Sequence, residues 1–137
     1  MVTVYLSLGS NLGDREGYVE KAISKIAERV GLVTARSSLY NTRPWGYVSC
    51  HDYVNACVKV ETRLSPRQLL AVTQDIEREL GRTRKSVDGN YSDRVIDIDI
   101  LLYDKLTIRE DDLVIPHPLM LQRDFVMRPL REICPDL

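Results

Sequence analysis

The stretch Arg94-Val95-Ile96-Asp97-Ile98-Asp99-Ile100-Leu101-Leu102-Tyr103 limits the possible folds more than any other part of this sequence. Side chains alternate faces along a strand. Ile96, Ile98, Ile100 and Leu102 therefore make one apolar face, and Asp97 and Asp99 project together from the other. Their Cα atoms would lie about 7 Å apart, two residues at roughly 3.3 Å each. Carboxylates that close repel, and strands are poor in Asp. A solvated strand face is the plain explanation. The functional one is a cradle for Mg²⁺, which takes one or two carboxylates together with waters and substrate phosphates. In both cases the strand needs a sheet with one buried and one polar face.

Three more stretches read as strands. Val2, Val4, Leu6 and Leu8 alternate with Thr3, Tyr5, Ser7 and Gly9, an apolar even face. Residues 32–40 are rich in Val, Thr, Leu and Tyr, and residues 53–61 again have an apolar even face, with Tyr53 and Asn55 on the odd one. Two helices lie between them. Val19, Ile23, Ile26 and Val30 form one stripe, after the turn-like Gly9-Ser10-Asn11-Leu12-Gly13-Asp14 and before Gly31, expected as a C′ glycine. Ser65-Pro66-Arg67-Gln68 signals the second helix through a capping box with Pro at N1. Leu69, Val72 or Thr73, Ile76 and Leu80 form its stripe, and Gly81 closes it.

Strand, helix, strand, strand, helix, strand is the ferredoxin-like βαββαβ order, an α+β antiparallel sheet with both helices on one face. Residues 106–108 and 113–115 read as a C-terminal hairpin, and short helical structure follows Pro116-His117-Pro118. The 137 residues are expected to form a single domain. The net charge of −1 gives no general attraction for nucleic acid or an anionic membrane. Cys50, Cys57 and Cys134 are odd in number and lack C-x-x-C spacing, so free thiols in a reducing compartment are expected. The N-terminus reads as a strand and not as a leader, and no apolar run approaches the ~20 residues of a membrane span. Together these features predict a cytoplasmic protein.

The odd face would gather Tyr53, Asn55, Asp97 and Asp99, a grouping suited to a site. Arg82, Arg84, Lys85 and Arg94 bracket a polar loop that leads into the acidic strand. One or two of these cations could simply face the negative end of the preceding helix. Carboxylates that bind Mg²⁺, beside arginines that grip oxygens, are the parts needed for phosphoryl or nucleotidyl transfer. Residues 41–51, which hold Trp45, read either as a lid over a ligand or as a loop packed on a sheet edge.

With these residues in view, the chain resembles the 6-hydroxymethyl-7,8-dihydropterin pyrophosphokinases. The resemblance rests on Leu8-Gly9-Ser10-Asn11, Ser38-Leu39-Tyr40-Asn41-Thr42 with Pro44 and Gly46, and Asp52-Tyr53-Val54-Asn55-Ala56. It continues through Gln74-Asp75-Ile76-Glu77, Gly81-Arg82, the acidic strand and Pro116-His117-Pro118. It implies transfer of pyrophosphate from ATP to the pterin hydroxymethyl group, with release of AMP, in a small-molecule enzyme expected to be a monomer. It also implies two Mg²⁺ ions on Asp97 and Asp99, with Arg82 and Arg94 on the transferring group. Thr42, Trp45, Tyr53, Asn55 and Phe125 would hold the pterin. Gln74, Glu77, Arg84, His117 and Arg123 would hold ATP. Where family members carry a Trp-Gly-Pro-like segment, this sequence has Gly89-Asn90-Tyr91-Ser92-Asp93, with Tyr91 as the only aromatic. The alternative is a ferredoxin-like ligand- or RNA-binding module without catalysis, which would need exposed aromatics and a basic sheet face.

Overall fold

The computed structural model describes residues 1–42, 52–81 and 95–136. The elements in chain order are β1 (Val2–Ser10), α1 (Arg15–Arg29), β2 (Gly31–Arg36), β3 (Tyr40–Thr42), β4 (Tyr53–Thr62), α2 (Pro66–Glu79), β5 (Asp97–Tyr103), β6 (Ile108–Glu110), β7 (Leu113–Ile115) and α3 (Asp124–Ile133). The main sheet is antiparallel, in the order β2-β4-β1-β5, with β3 also paired to β4. β6 and β7 form a separate two-stranded ribbon.

The even residues Val4, Leu6 and Leu8 of β1 join Val54, Ala56, Val58 and Val60 of β4 and Ile98 and Ile100 of β5 in one core. Val19, Ile23 and Ile26 from α1 and Leu69 and Ile76 from α2 close that core. α2 begins as its sequence requires. The Ser65 side chain accepts from the Gln68 N–H at 3.2 Å, and Gln68 accepts from the Ser65 N–H at 2.9 Å.

Four expectations change. The opposite sheet face is not left open, because α3 lies across part of it. A second core of Cys57, Leu101, Met120, Val126, Met127 and Leu130 forms there. The acidic strand does not keep its period throughout. Tyr5 pairs with Leu102 and Leu6 with Ile100, so Leu101 is an extra, bulged residue. The bulge moves Leu102 to the second core and returns Tyr103 to the first, where its hydroxyl donates to the Leu64 carbonyl. Residues 32–40 are not one strand but two, β2 and β3. They are joined where the Ser37 N–H donates to the Cys57 carbonyl and Ser37 Oγ accepts from the Cys57 N–H, both at 2.9 Å. Gly31 is not a left-handed cap but the first residue of β2. A Cβ there would lie 2.0 Å from the Glu61 carbonyl oxygen, so only glycine lets the two strands approach.

Candidate active site

Strand register gathers the site. Asn55 of β4, Gly9 of β1 and Asp97 of β5 lie in one row across three adjacent strands, and Cys57, Ser7 and Asp99 form the next row. All six share the odd face, so the two half-buried carboxylates stand together beside Asn55 and Tyr53. Gly9, read both in the first strand and in the turn after it, lies within β1, and the reason for its identity is steric. A Cβ would sit 2.9 Å from Asn55 Oδ1 and 3.3 Å from Tyr53 Cδ1, because both side chains lean over the glycine. The buried Asn55 donates through Nδ2 to Thr42 Oγ1, and Thr42 pairs with Tyr53 across β3 and β4. Thr42, Tyr53 and Asn55 are therefore brought together as a small polar recess with an aromatic wall.

Among the described residues β5 is an edge strand, so alternate backbone groups point away from β1. One of them, the Ile98 N–H, is satisfied by Glu77 Oε2 at 2.8 Å. Glu77 is only 7% exposed. It holds α2 against the strand between the two aspartates and does not line the neighbouring cleft. That cleft, about 280 Å³, runs along the outer edge of β5 and is lined by Leu70, Ile98, Asp99, Ile100, Asp112 and His117 among others. Gln74 is half-buried on α2, one turn beyond Leu70.

His117 Nδ1 accepts from the Leu119 N–H at 3.3 Å, which leaves the neutral ring's proton on Nε2 as a donor. Burial pushes this imidazole below its ordinary range. The positive charge of Arg123 acts in the same direction, and Asp97 opposes them. These couplings place His117, Arg123 and Asp97 in one neighbourhood. Arg123 is buried and its guanidinium lies 5.5 Å from the centre of the Phe125 ring, within cation–π range. Phe125 packs on the second core. Trp45, Arg82, Arg84 and Arg94, together with Lys85 and Tyr91, lie outside the described residues.

The donor set suits Mg²⁺. Among the described residues no group of three or more His, Cys, Asp or Glu side chains could hold a metal. Two oxygen ligands on one strand suit an ion that keeps several waters and takes the rest of its shell from phosphates. Gly9 was legible in the sequence as the last odd-face residue of the first strand and, equally, as the start of a turn. Its odd phase matched that of Asn55 and the aspartates, and that shared phase is the signal that could have found it.

Over residues 5–135 the sequence matches the family model described as 7,8-dihydro-6-hydroxymethylpterin-pyrophosphokinase (HPPK). It is 49% identical over 136 residues to a 2-amino-4-hydroxy-6-hydroxymethyldihydropteridine pyrophosphokinase of Porphyromonas gingivalis, covering 98% of this chain and 92% of the relative. The enzyme of that name from Bacillus subtilis is 44% identical over 131 residues, 95% of this chain and 77% of the relative. A folic acid synthesis protein of Pneumocystis carinii is 42% identical over 134 residues, 98% of this chain but 18% of that protein. Among solved structures, an HPPK-DHPS in complex with substrates superposes with a TM-score of 0.76 at 15% identity, over 98% of this chain and 40% of that one. Wild-type HPPK-DHPS of Plasmodium falciparum gives 0.73 at 16% identity, over 98% of this chain and 38% of the other. At these identities the solved structures speak for the α+β fold alone, and this chain spans less than half of their length.

Proposed function

The chain belongs to the 7,8-dihydro-6-hydroxymethylpterin-pyrophosphokinase family and is a folate-biosynthesis pyrophosphokinase, from which we propose that it moves the pyrophosphoryl group of ATP onto the hydroxymethyl oxygen of 6-hydroxymethyl-7,8-dihydropterin and releases AMP. The observation that carries this reading is the shared row of Asn55, Gly9 and Asp97. It supports a pterin site at Asn55 and Tyr53 beside the two carboxylates, with Asp99 also lining the cleft along β5.

Tyr53, held over Gly9, offers the pterin an aromatic face. The Asn55 amide and Thr42 offer donors and acceptors to its edge. Phe125 and Trp45 complete the pterin contacts. ATP occupies the cleft along β5. The outward alternation that turns the Ile98 N–H towards Glu77 also turns the backbone of Ile100 into the cleft, as polar groups for a base. Neutral His117 donates from Nε2 to a phosphate oxygen, and Arg123, Arg84 and Gln74 act on the same side. Glu77 serves ATP indirectly, by fixing the strand. Asp97 and Asp99 would hold two Mg²⁺ ions, whose charge offsets that of the triphosphate and polarises the β-phosphorus. Arg82 and Arg94 stabilise the transferring group.

This reading takes residues 1–137 as one domain, working as a monomer in the cytoplasm on small molecules and without a nucleic-acid partner. The strand order β2-β4-β1-β5, with α1 and α2 on one face, supports the ferredoxin-like assignment. The alternative of an RNA-binding module is disfavoured by a sheet face that is acidic at one end and covered by α3 elsewhere. The test is AMP formation from Mg-ATP with and without the pterin, for wild type and Asp99→Ala. Pterin-dependent AMP from wild type alone is the expected result. Equal rates from both proteins would remove Asp99 from the machinery, and no AMP from folded wild type would remove the reaction.

A further inference from the structure

The α3 carboxylate of Glu132 is tied to the segment just before Thr42. Glu132 Oε2 accepts from the Ser38 N–H at 2.8 Å and from Ser38 Oγ at 3.2 Å, and Oε1 accepts from the Tyr40 hydroxyl at 2.7 Å. One turn earlier on α3, the Arg128 guanidinium lies 5.3 Å from the centre of the Tyr40 ring. Two side chains four apart on one helix thus hold the ring face and the hydroxyl of the same tyrosine. Ser38 and Tyr40 are more than ninety residues away from Glu132 in sequence. The hydrogen bond from the Tyr40 hydroxyl, helped by those from Ser38, holds the Glu132 carboxyl below the ordinary range, so it is a charged acceptor at neutral pH.

What this anchor holds is significant. Tyr40 pairs with Asn55 and Thr42 with Tyr53, and Asn55 donates to Thr42 Oγ1. Among the described residues β3 spans Tyr40–Thr42 and pairs with β4 alone. We propose that Glu132 is a positioning residue for the pterin recess, setting β3 so that Thr42 and Asn55 meet the heterocycle's edge. This rests on the assignment of the recess to the pterin.

The test measures KM for each substrate in Glu132→Ala, Glu132→Gln and Tyr40→Phe, with pterin and ATP-analogue binding followed by calorimetry and folding by thermal melts. Three charge-assisted hydrogen bonds are lost in Glu132→Ala, so its pterin KM should rise roughly tenfold, with the KM for ATP within about twofold. Glu132→Gln can keep its one oxygen on the Ser38 N–H and hydroxyl and donate its amide to the Tyr40 oxygen, so it should restore most of the pterin affinity. Tyr40→Phe, which loses one bond, should fall between them. If Glu132→Ala raises both KM values equally, or neither while still folded, the proposal is overturned. Should Glu132→Ala not fold, a Tyr40→Phe protein with unchanged pterin binding overturns it as well. Wild type without pterin-dependent AMP would count against the reaction itself and is read separately.

Discussion

At the scale of single residues, two positions make quantitative claims. Gly9 is glycine because Asn55 Oδ1 and Tyr53 Cδ1 occupy the space over it. Gly9→Ala should therefore push both side chains out of the recess, at a stability cost of about 1–3 kcal/mol. Its pterin KM should rise by roughly tenfold, as expected for the loss of about 1.4 kcal/mol of binding, and its KM for ATP should stay near wild type. Steady-state kinetics with each substrate varied checks this, and an unchanged pterin KM would contradict it. His117 makes a claim about pH. Its folded value lies below the ordinary 6.5, through burial and the Arg123 charge. As pH falls, the unfolded chain therefore takes up this proton before the folded one does. The contribution of His117 to stability is intact above 6.5 and is lost as pH drops towards the lowered value. Denaturation midpoints in Mg-free buffer, from about pH 7 to 5, should fall less steeply for His117→Asn than for wild type. Parallel curves would show that the imidazole is not held neutral.

At the scale of elements, the contact between α2 and β5 depends on a buried acid. Glu77→Ala leaves the Ile98 N–H unpaired beside the core and should cost about 1–3 kcal/mol, while Glu77→Gln should keep most of the stability. Urea unfolding separates the two, and a loss below about 0.5 kcal/mol in the alanine variant would mean the bond carries little. Glu77 also shows where sequence reading stops. Its spacing from Leu69, Thr73 and Ile76 puts it at the margin of the apolar stripe, and nothing in the pattern says that a strand edge with an unpaired donor lies opposite. The capping box of Ser65 and Gln68 was legible because every participant lies within four residues. The phase of Asp97, Asp99 and Asn55 was legible because alternation is local. The bulge at Leu101 and the close approach at Gly31 were not, since both are set by a partner strand distant in sequence.

At the scale of the molecule, one sheet serves two cores. β1, β4 and β5 give alternate residues to the helices α1 and α2 on one side and to α3 on the other. Leu130→Ala, at a fully buried position of the second core, should cost about 2–5 kcal/mol. Because both cores share the same strands, unfolding should remain one cooperative transition. Coincident far-UV and tyrosine-fluorescence melts would agree with that, and separate melting of α3 would not. The central place of β1 also governs the protein's synthesis. Its residues are made before those of β4 and β5, so Gly9 meets Asn55 only after β4 is made and meets Asp97 only after β5 is made. Pairings so far apart in sequence close late. A nascent chain therefore carries β1 for much of translation without the row that Asn55, Gly9 and Asp97 form across the finished sheet. That row is complete only when β5 joins β1.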